Sequence, residues 1–270
     1  MKKIIILAPV ILLIFIVGIP ALVAGYLGFV PGLSSLMGTN KPRDLGVAYT
    51  EADFRSARGK TKLVYDTLPP TTPASQSIQR FGSRPAVFSL SSREASSLMN
   101  NRPWKYWPYD NVQIKFNENG SAEVSGIILK DRISGYASAI GAPPEAMLIA
   151  EKILNSLPAN PVFYLNMKVS VENNTVKTFE PIYFEIGRFP VPIDTLLAFT
   201  PPQFVQTALA YPLDSVKQDF PNIKNKKQLI IDYINQRIAA TKGFSIRQAY
   251  FAKDKLVFDG ALAEREATVR

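Results

Sequence analysis

The chain has 270 residues and a formal net charge of +9, and it contains neither cysteine nor histidine. This composition excludes disulfide bonds, Ser-His-Asp and Cys-His catalysis, and ordinary zinc sites. The basic residues are dispersed along the chain, so nucleic acid is not expected as a partner.

The N-terminal segment is apolar. No charged residue lies between Lys3 and Lys41, and Ile4–Val30 is almost entirely apolar. About 20 such residues suffice to cross a bilayer as a helix, so we predict that residues 1–30 form a membrane anchor. Cleavage as a signal peptide at Val23-Ala24-Gly25 is the alternative. The two N-terminal lysines favour a cytoplasmic N-terminus, which places the main domain outside the cytoplasm.

Residues 31–84 are expected to connect this anchor to the main domain. Thr50 and Asp53 have the spacing of a capping box, which predicts a short helix. A strand is expected near Lys62–Tyr65. The proline-rich run Leu68–Pro73 is expected to form an extended loop.

The main domain, residues 85–262, begins with a strand and a helix. Val87–Leu90 is a hydrophobic stretch typical of a strand. Ser91 and Glu94 occupy the N-cap and N3 positions of a second capping box, so a helix is expected to follow to about Met99.

Three β-hairpins are the clearest pattern in this domain. Each joins two strands through a short polar turn, a strong local hairpin signal. The pairs are Val112–Phe116 with Ala122–Ile128 around Asn119-Gly120, Phe163–Val171 with Val176–Ile186 around Asn173-Asn174, and Phe244–Phe251 with Leu256–Leu262 around Lys253-Asp254. Pro181 predicts a bulge or an edge position, since proline cannot donate to the strand ladder.

Helices are expected at about 143–157, 202–212 and 226–240. Gly135–Gly141 is expected to be flexible, and residues 263–270 to form a polar, frayed tail. Hairpins separated by helices predict an α+β fold with a mostly antiparallel sheet and helices packed on one face, preceded by one transmembrane helix.

The anchor, Phe88–Glu94, the hairpin at Val112–Ile128, and the late helix followed by Phe244–Leu262 together resemble the YpmS-like proteins. These are membrane-anchored extracytoplasmic proteins of Gram-positive and related bacteria. More loosely, the pattern resembles the tubular lipid-binding (TULIP-like) proteins. The resemblance covers roughly residues 85–262. It implies a curved sheet that wraps a helix, an apolar groove for lipid, and no catalytic residues.

One candidate binding site is an aromatic loop that contains both tryptophans of the chain. Exposed rings would lie at a membrane interface, stack on sugars or anchor a protein. The alternative is that they close one end of the core. The residues are Trp104, Tyr106, Trp107 and Tyr109.

The second candidate site is the apolar face of the second hairpin. Such a face lines a lipid-binding groove, or else it belongs to an ordinary filled core. The residues are Phe163, Leu165, Met167, Val169 and Phe184.

The leading hypothesis is a single-pass extracytoplasmic protein that binds a lipid or another hydrophobic ligand, with membrane lipid as its partner. The alternative is a cell-envelope module that recruits a protein or a cell-wall polymer through the aromatic loop. An enzyme is disfavoured because the acidic residues are scattered and no catalytic motif is present. No cofactor and no metal are expected.

Overall fold

The structure is a computed structural model that describes residues 19–28, 30–142, 160–191 and 226–270. Among these residues, no helix is both long and apolar enough to cross a bilayer. Most of the expected anchor lies outside them, so membrane anchoring stays a prediction. The helices expected at about 143–157 and 202–212 also lie outside the described residues.

Six helices and eleven strands lie in the described parts of the chain, together with a 3₁₀ turn at Ala74–Gln76. The helices are α1 (Ile19–Tyr26), α2 (Pro31–Leu36), α3 (Glu51–Thr61), α4 (Ser92–Asn100), α5 (Lys130–Ala139) and α6 (Lys226–Ala240). The strands are β1 (Val64–Thr67), β2 (Ile78–Phe81), β3 (Arg84–Ser91), β4 (Tyr109–Phe116), β5 (Ala122–Ile128), β6 (Val162–Glu172), β7 (Thr175–Ile186), β8 (Phe189–Pro190), β9 (Ser245–Ala252), β10 (Lys255–Leu262) and β11 (Arg265–Thr268).

The larger sheet is antiparallel and curled into a half-barrel, which confirms the α+β class. Its strand order is β3-β10-β9-β6-β5-β4, with β7 paired to β6 and β8 to β7. Strand β6 pairs with β5 through Val162–Met167 and with β9 through Ser170–Glu172. The sheet therefore splits into two arms that diverge from the β6–β7 hairpin.

All three predicted hairpins are confirmed, with one different turn. Asn173 and Asn174 both have positive φ, as a two-residue type I′ turn requires. In the turn of the first hairpin only Gly120 has positive φ, and the amide of Asn117 donates to the carbonyl of Ser121. The loop there is longer than the predicted Asn-Gly turn. The bulge predicted at Pro181 is confirmed, because the register shifts beside it and leaves Ile182 unpaired.

The smaller sheet corrects the expected C-terminal tail. Strand β11 is its centre, parallel to β1 and antiparallel to β2. Thr268 and Val269 are buried, at 0% and 1% exposure. The expected frayed tail at residues 263–270 is therefore wrong, because long-range pairing satisfies its backbone. Strands β1 and β2 also come from residues 31–84, so that segment is part of the folded domain.

Helix α5 replaces the flexible segment expected at Gly135–Gly141. Gly135 lies against the ring of Tyr106, where a Cβ atom would clash, so glycine here permits close packing. Gly141 follows the helix with φ of 69°, as a helix-ending glycine does. The glycines thus position and end a helix.

Two hydrophobic clusters lie on the same face of the larger sheet, because Phe88 packs against both. One joins α6, through Ile230, Ile234 and Ile238, to strands β6, β7, β9 and β10. The other joins α3 and α4 to strands β3, β4 and β5. The helices α4 and α6 thus cover different parts of one sheet face, and the candidate site lies between the two clusters.

Candidate functional site

An apolar cavity of about 490 Å³, lined by described residues, lies between the two clusters. Its volume falls within the range of roughly 300–1,000 Å³ that small-molecule sites occupy. Besides Ile246 of β9 and Leu262 of β10, five strands each contribute a pair of side chains at alternate positions, because alternate residues of a strand share a face. These pairs are Phe88 and Leu90, Ile114 and Phe116, Ala122 and Val124, Ala249 and Phe251, and Leu256 and Phe258.

Helix α4 completes the wall and closes the sheet between β3 and β4. Residues Ser92, Ser96 and Asn100 lie one above another on the helix, four positions apart. Their side chains accept hydrogen bonds from the amides of alternate β4 residues: Ser92 from Phe116 at 3.0 Å, Ser96 from Ile114 at 2.8 Å, and Asn100 from Val112 at 2.8 Å. Four helical residues rise about 6 Å, close to the repeat of two strand residues. The polar column therefore takes the place of a neighbouring strand.

The aromatic loop packs into the interior. Trp104 is 4% exposed, and its indole N–H donates to Ser77 Oγ at 3.1 Å. The indole N–H of Trp107 donates to the carbonyl of Met99 at 2.7 Å. Both indoles pack against Tyr136 of α5, with ring centroids 5.6 and 6.2 Å away. The loop therefore closes one end of the core, and Trp104 is not free to stack on an external partner.

The two tyrosine rings of the loop, Tyr106 and Tyr109, also pack against other parts of the domain. Tyr106 contacts Gly135, and Tyr109 packs on Tyr136 and on Phe163. Burial raises the pKa of Tyr109, with a further contribution from Tyr136. Trp107 alone among the four predicted loop residues lines the cavity.

The five side chains predicted to form a groove do not line the cavity. Met167 and Val169 pack against the cluster beneath α6, so the filled-core alternative applies to them. Phe163 is buried against Tyr109, and Leu165 lies opposite Phe184 in the β6–β7 ladder. The predicted hairpin is present, but the cavity wall comes from other strands. The lining residues of β9 and β10 stand in the continuous apolar runs Ala249–Ala252 and Leu256–Phe258, which do not distinguish one face of the strand from the other.

A second cavity of about 430 Å³ adjoins the first and has a different chemistry. The two share Leu63, Arg102, Phe244 and Leu262 in their linings. The second adds the charged side chains Arg80, Arg237 and Glu266. We call this charged space the arginine mouth. Arg102 is the one charged side chain in the described lining of the apolar cavity, and it stands at the junction.

Ion pairs order the arginine mouth. Arg102 Nη2 lies 2.6 Å from Glu266 Oε1, and Arg80 Nε lies 3.1 Å from Glu266 Oε2. The Arg102 guanidinium also lies 5.1 Å from the Trp107 ring centroid, in a cation–π contact. Burial raises the pKa of the neighbouring Tyr65, although the charge of Arg102 opposes this.

The buried carboxylates have structural partners. Glu94 accepts hydrogen bonds from Lys60 and Ser56. Glu185 is held by both donors of the Arg43 fork, at 2.7 and 2.6 Å. Glu266 is held by its two arginines. Within the described ranges, no group of three or more acidic side chains is placed to hold a metal ion.

Comparison with protein-family models, curated proteins and solved structures finds no match to the chain. The resemblance to YpmS-like proteins therefore stays a prediction.

Proposed function

We propose that this protein binds a lipid or another hydrophobic ligand in the cavity of the half-barrel. The observation that carries the proposal is the apolar space of about 490 Å³ between α4 and the strands of the larger sheet. The apolar N-terminal segment supports a position at the membrane, with the domain on the extracytoplasmic side. Membrane lipid is then the nearest source of ligand.

Hydrophobic transfer supplies the binding energy. Burial of apolar surface stabilises a complex by about 25 cal/mol per Å², or about 0.8 kcal/mol for each methylene group. The hydrogen-bond ladders of five strands hold the wall in place. The protein therefore loses little conformational entropy when a ligand binds. Recruitment of a partner through the aromatic loop has less support, because Trp104 is buried and both indole N–H groups donate internally.

Native mass spectrometry of the full chain, released from detergent micelles, tests the proposal. We expect a co-purified lipid at close to one molecule per chain. The Ala249→Trp variant places a large ring at the cavity wall and should abolish the adduct. The matched control is Gln248→Trp, which adds the same ring at an exposed position of the same strand.

Folding of both variants is checked by their thermal unfolding, because an overfilled cavity also destabilises a protein. If Ala249→Trp fails to fold, Val124→Phe fills the cavity from the β5 wall with a smaller ring. A chain that stays free of adduct, and remains so when membrane lipids are added, would overturn the proposed function.

A further inference from the structure

The side chains that line the arginine mouth carry more positive charge than negative charge. Its described lining has three guanidinium groups, from Arg80, Arg102 and Arg237, and one carboxylate, from Glu266. Glu266 binds two of the three arginines. In the described structure Arg237 has no acidic partner within salt-bridge distance. Two positive charges are thus uncompensated within the lining.

Arg102 also has a donor without an acceptor. Its Nε atom is buried and has no hydrogen-bond partner among the described residues. A buried polar group left without a partner is unfavourable, and more so when it is charged. An arginine fork has donors placed to match the oxygens of a carboxylate or a phosphate.

The arginine mouth adjoins the apolar cavity at Arg102. Arg102 lines both spaces, and Leu63, Phe244 and Leu262 form the apolar boundary between them. A ligand with an apolar chain in the cavity would therefore present its first polar group to Arg102 and Arg237. A neutral head group would leave the excess charge in place.

We propose that the ligand is a single-chain anionic amphiphile, with its acyl chain in the cavity and its carboxylate or phosphate in the arginine mouth. This inference rests on the proposed function, and it adds the charge and orientation of the ligand. The head group accepts hydrogen bonds from Arg102 and Arg237. Glu266 keeps Arg80 and Arg102 in position while the site is empty.

The two tryptophans of the chain provide a direct readout. Trp107 lines the cavity and Trp104 does not. A brominated acyl chain quenches an indole that it contacts, so binding is measured as loss of fluorescence. The probes are dibromostearate and dibromostearyl alcohol, which differ only in the head group, added to the full chain in phosphatidylcholine nanodiscs. Trp107→Phe should abolish most of the quenching.

We expect the acid to bind at least about tenfold more tightly than the alcohol, as one charge-assisted hydrogen bond provides. Arg237→Gln should remove most of this preference, because it weakens binding of the acid much more than binding of the alcohol. Arg237 pairs with no acidic side chain among the described residues, so this variant should fold. The matched control is Lys242→Gln, which removes the same charge from an exposed position outside the mouth. Each variant is compared with the unmodified chain for the same probe. The partition of that probe into the bilayer is the same in both measurements and therefore cancels from the ratio of the two affinities.

The outcomes separate the two proposals. Equal binding of acid and alcohol would overturn the anionic ligand but keep a hydrophobic one. Quenching by neither probe would overturn both. An acid preference that survives Arg237→Gln but is lost in Lys242→Gln would also overturn the assigned mouth. Dibromostearyl phosphate, measured in the same way, distinguishes a phosphate head from a carboxylate, and tighter binding of either anion supports the proposal.

Discussion

Glu94 links helices α3 and α4 through a buried carboxylate. It accepts the Ser91 amide in the capping box and receives hydrogen bonds from Lys60 and Ser56. Burial by itself raises the pKa of the Glu94 carboxyl. The hydrogen bonds from Lys60, Ser56 and Ser91 together outweigh burial and hold that pKa below its ordinary value. Ionised Glu94 is therefore a stabilising group.

We expect Glu94→Gln to lower the free energy of unfolding at pH 7 by about 1–3 kcal/mol, because it removes charge-assisted hydrogen bonds. A lowered carboxyl pKa gives stability that is present above the unfolded-state pKa and lost as pH falls through the folded pKa. The difference between the two proteins should thus be constant above about pH 4.3, the ordinary glutamate value, and shrink below it.

Urea unfolding across pH measures this difference. Glu118→Gln is the control, since Glu118 is exposed and pairs with the exposed Lys253. Such a surface pair contributes little to stability. The assigned role would be contradicted if the difference in free energy of unfolding between Glu94→Gln and the unmodified chain stayed constant below pH 4.

Residues that act through their immediate neighbours were predictable from the sequence. Both capping boxes form as expected, from Thr50 with Asp53 and from Ser91 with Glu94. The contact of Arg102 with Glu266 was not predictable. These residues lie 164 positions apart, and each looks like an ordinary surface charge in isolation. Only the strand pairing of β11 brings them together.

At the scale of elements, the polar column on α4 explains how a half-barrel ends without an open edge. An unpaired strand edge has free amides and carbonyls that invite association with another chain. Ser92, Ser96 and Asn100 bind those groups on β4. Asn100 accepts from the Val112 amide at 2.8 Å and donates to the Val112 carbonyl at 2.7 Å, whereas the bond that Ser96 donates to the Ile114 carbonyl is longer, at 3.4 Å.

Asn100→Ala should leave both backbone groups of Val112 without partners. Val112 is fully buried, so we expect a loss of about 2–4 kcal/mol in unfolding free energy. Hydrogen exchange at the Val112 amide should accelerate more than exchange elsewhere in β4. The neighbouring Asn101→Ala is the control, because its side chain donates only to its own helix, to the Ser97 carbonyl. Equal effects of the two variants would refute the role of Asn100 at the strand edge.

Most helices and strands were predictable because their signals are local. The helix at Lys226–Ala240 appears with the expected bounds, and the three hairpins follow from turn residues and alternation. The face that each strand presents was harder to predict. Alternation shows that two faces differ, but which face meets a cavity depends on curvature and on bulges such as the one at Ile182.

At the scale of the whole molecule, the smaller sheet joins distant parts of the chain. Strand β11 lies between β1 and β2, and the main chain of Val269 continues the contact at Ser77 and Lys105. This sheet also supplies Arg80 and Glu266 to the arginine mouth. In the sequence, residues 263–270 look like a tail because three charged residues follow one another at Glu264–Glu266 and no local signal marks the strands that pair with them.

Removal of residues 265–270 should therefore be severely destabilising. The truncated chain loses a central strand and leaves β1 and β2 without a partner, so we expect a loss of more than about 4 kcal/mol or failure to fold. Removal of Arg270 alone, which is exposed, should change little. Thermal unfolding followed by circular dichroism compares the two. A truncated chain as stable as the full one would show that the smaller sheet is dispensable.

The position of β11 also sets the order in which the protein can mature. Asp66 and Arg265, paired across β1 and β11, are 199 residues apart in sequence. During synthesis at about 5–20 residues per second, β1 and β2 must therefore wait at least roughly 10 seconds for their shared partner. Closure of so long a loop is entropically costly and favours slow folding. The early strands are thus exposed to proteases and to mispairing until β11 has been synthesised.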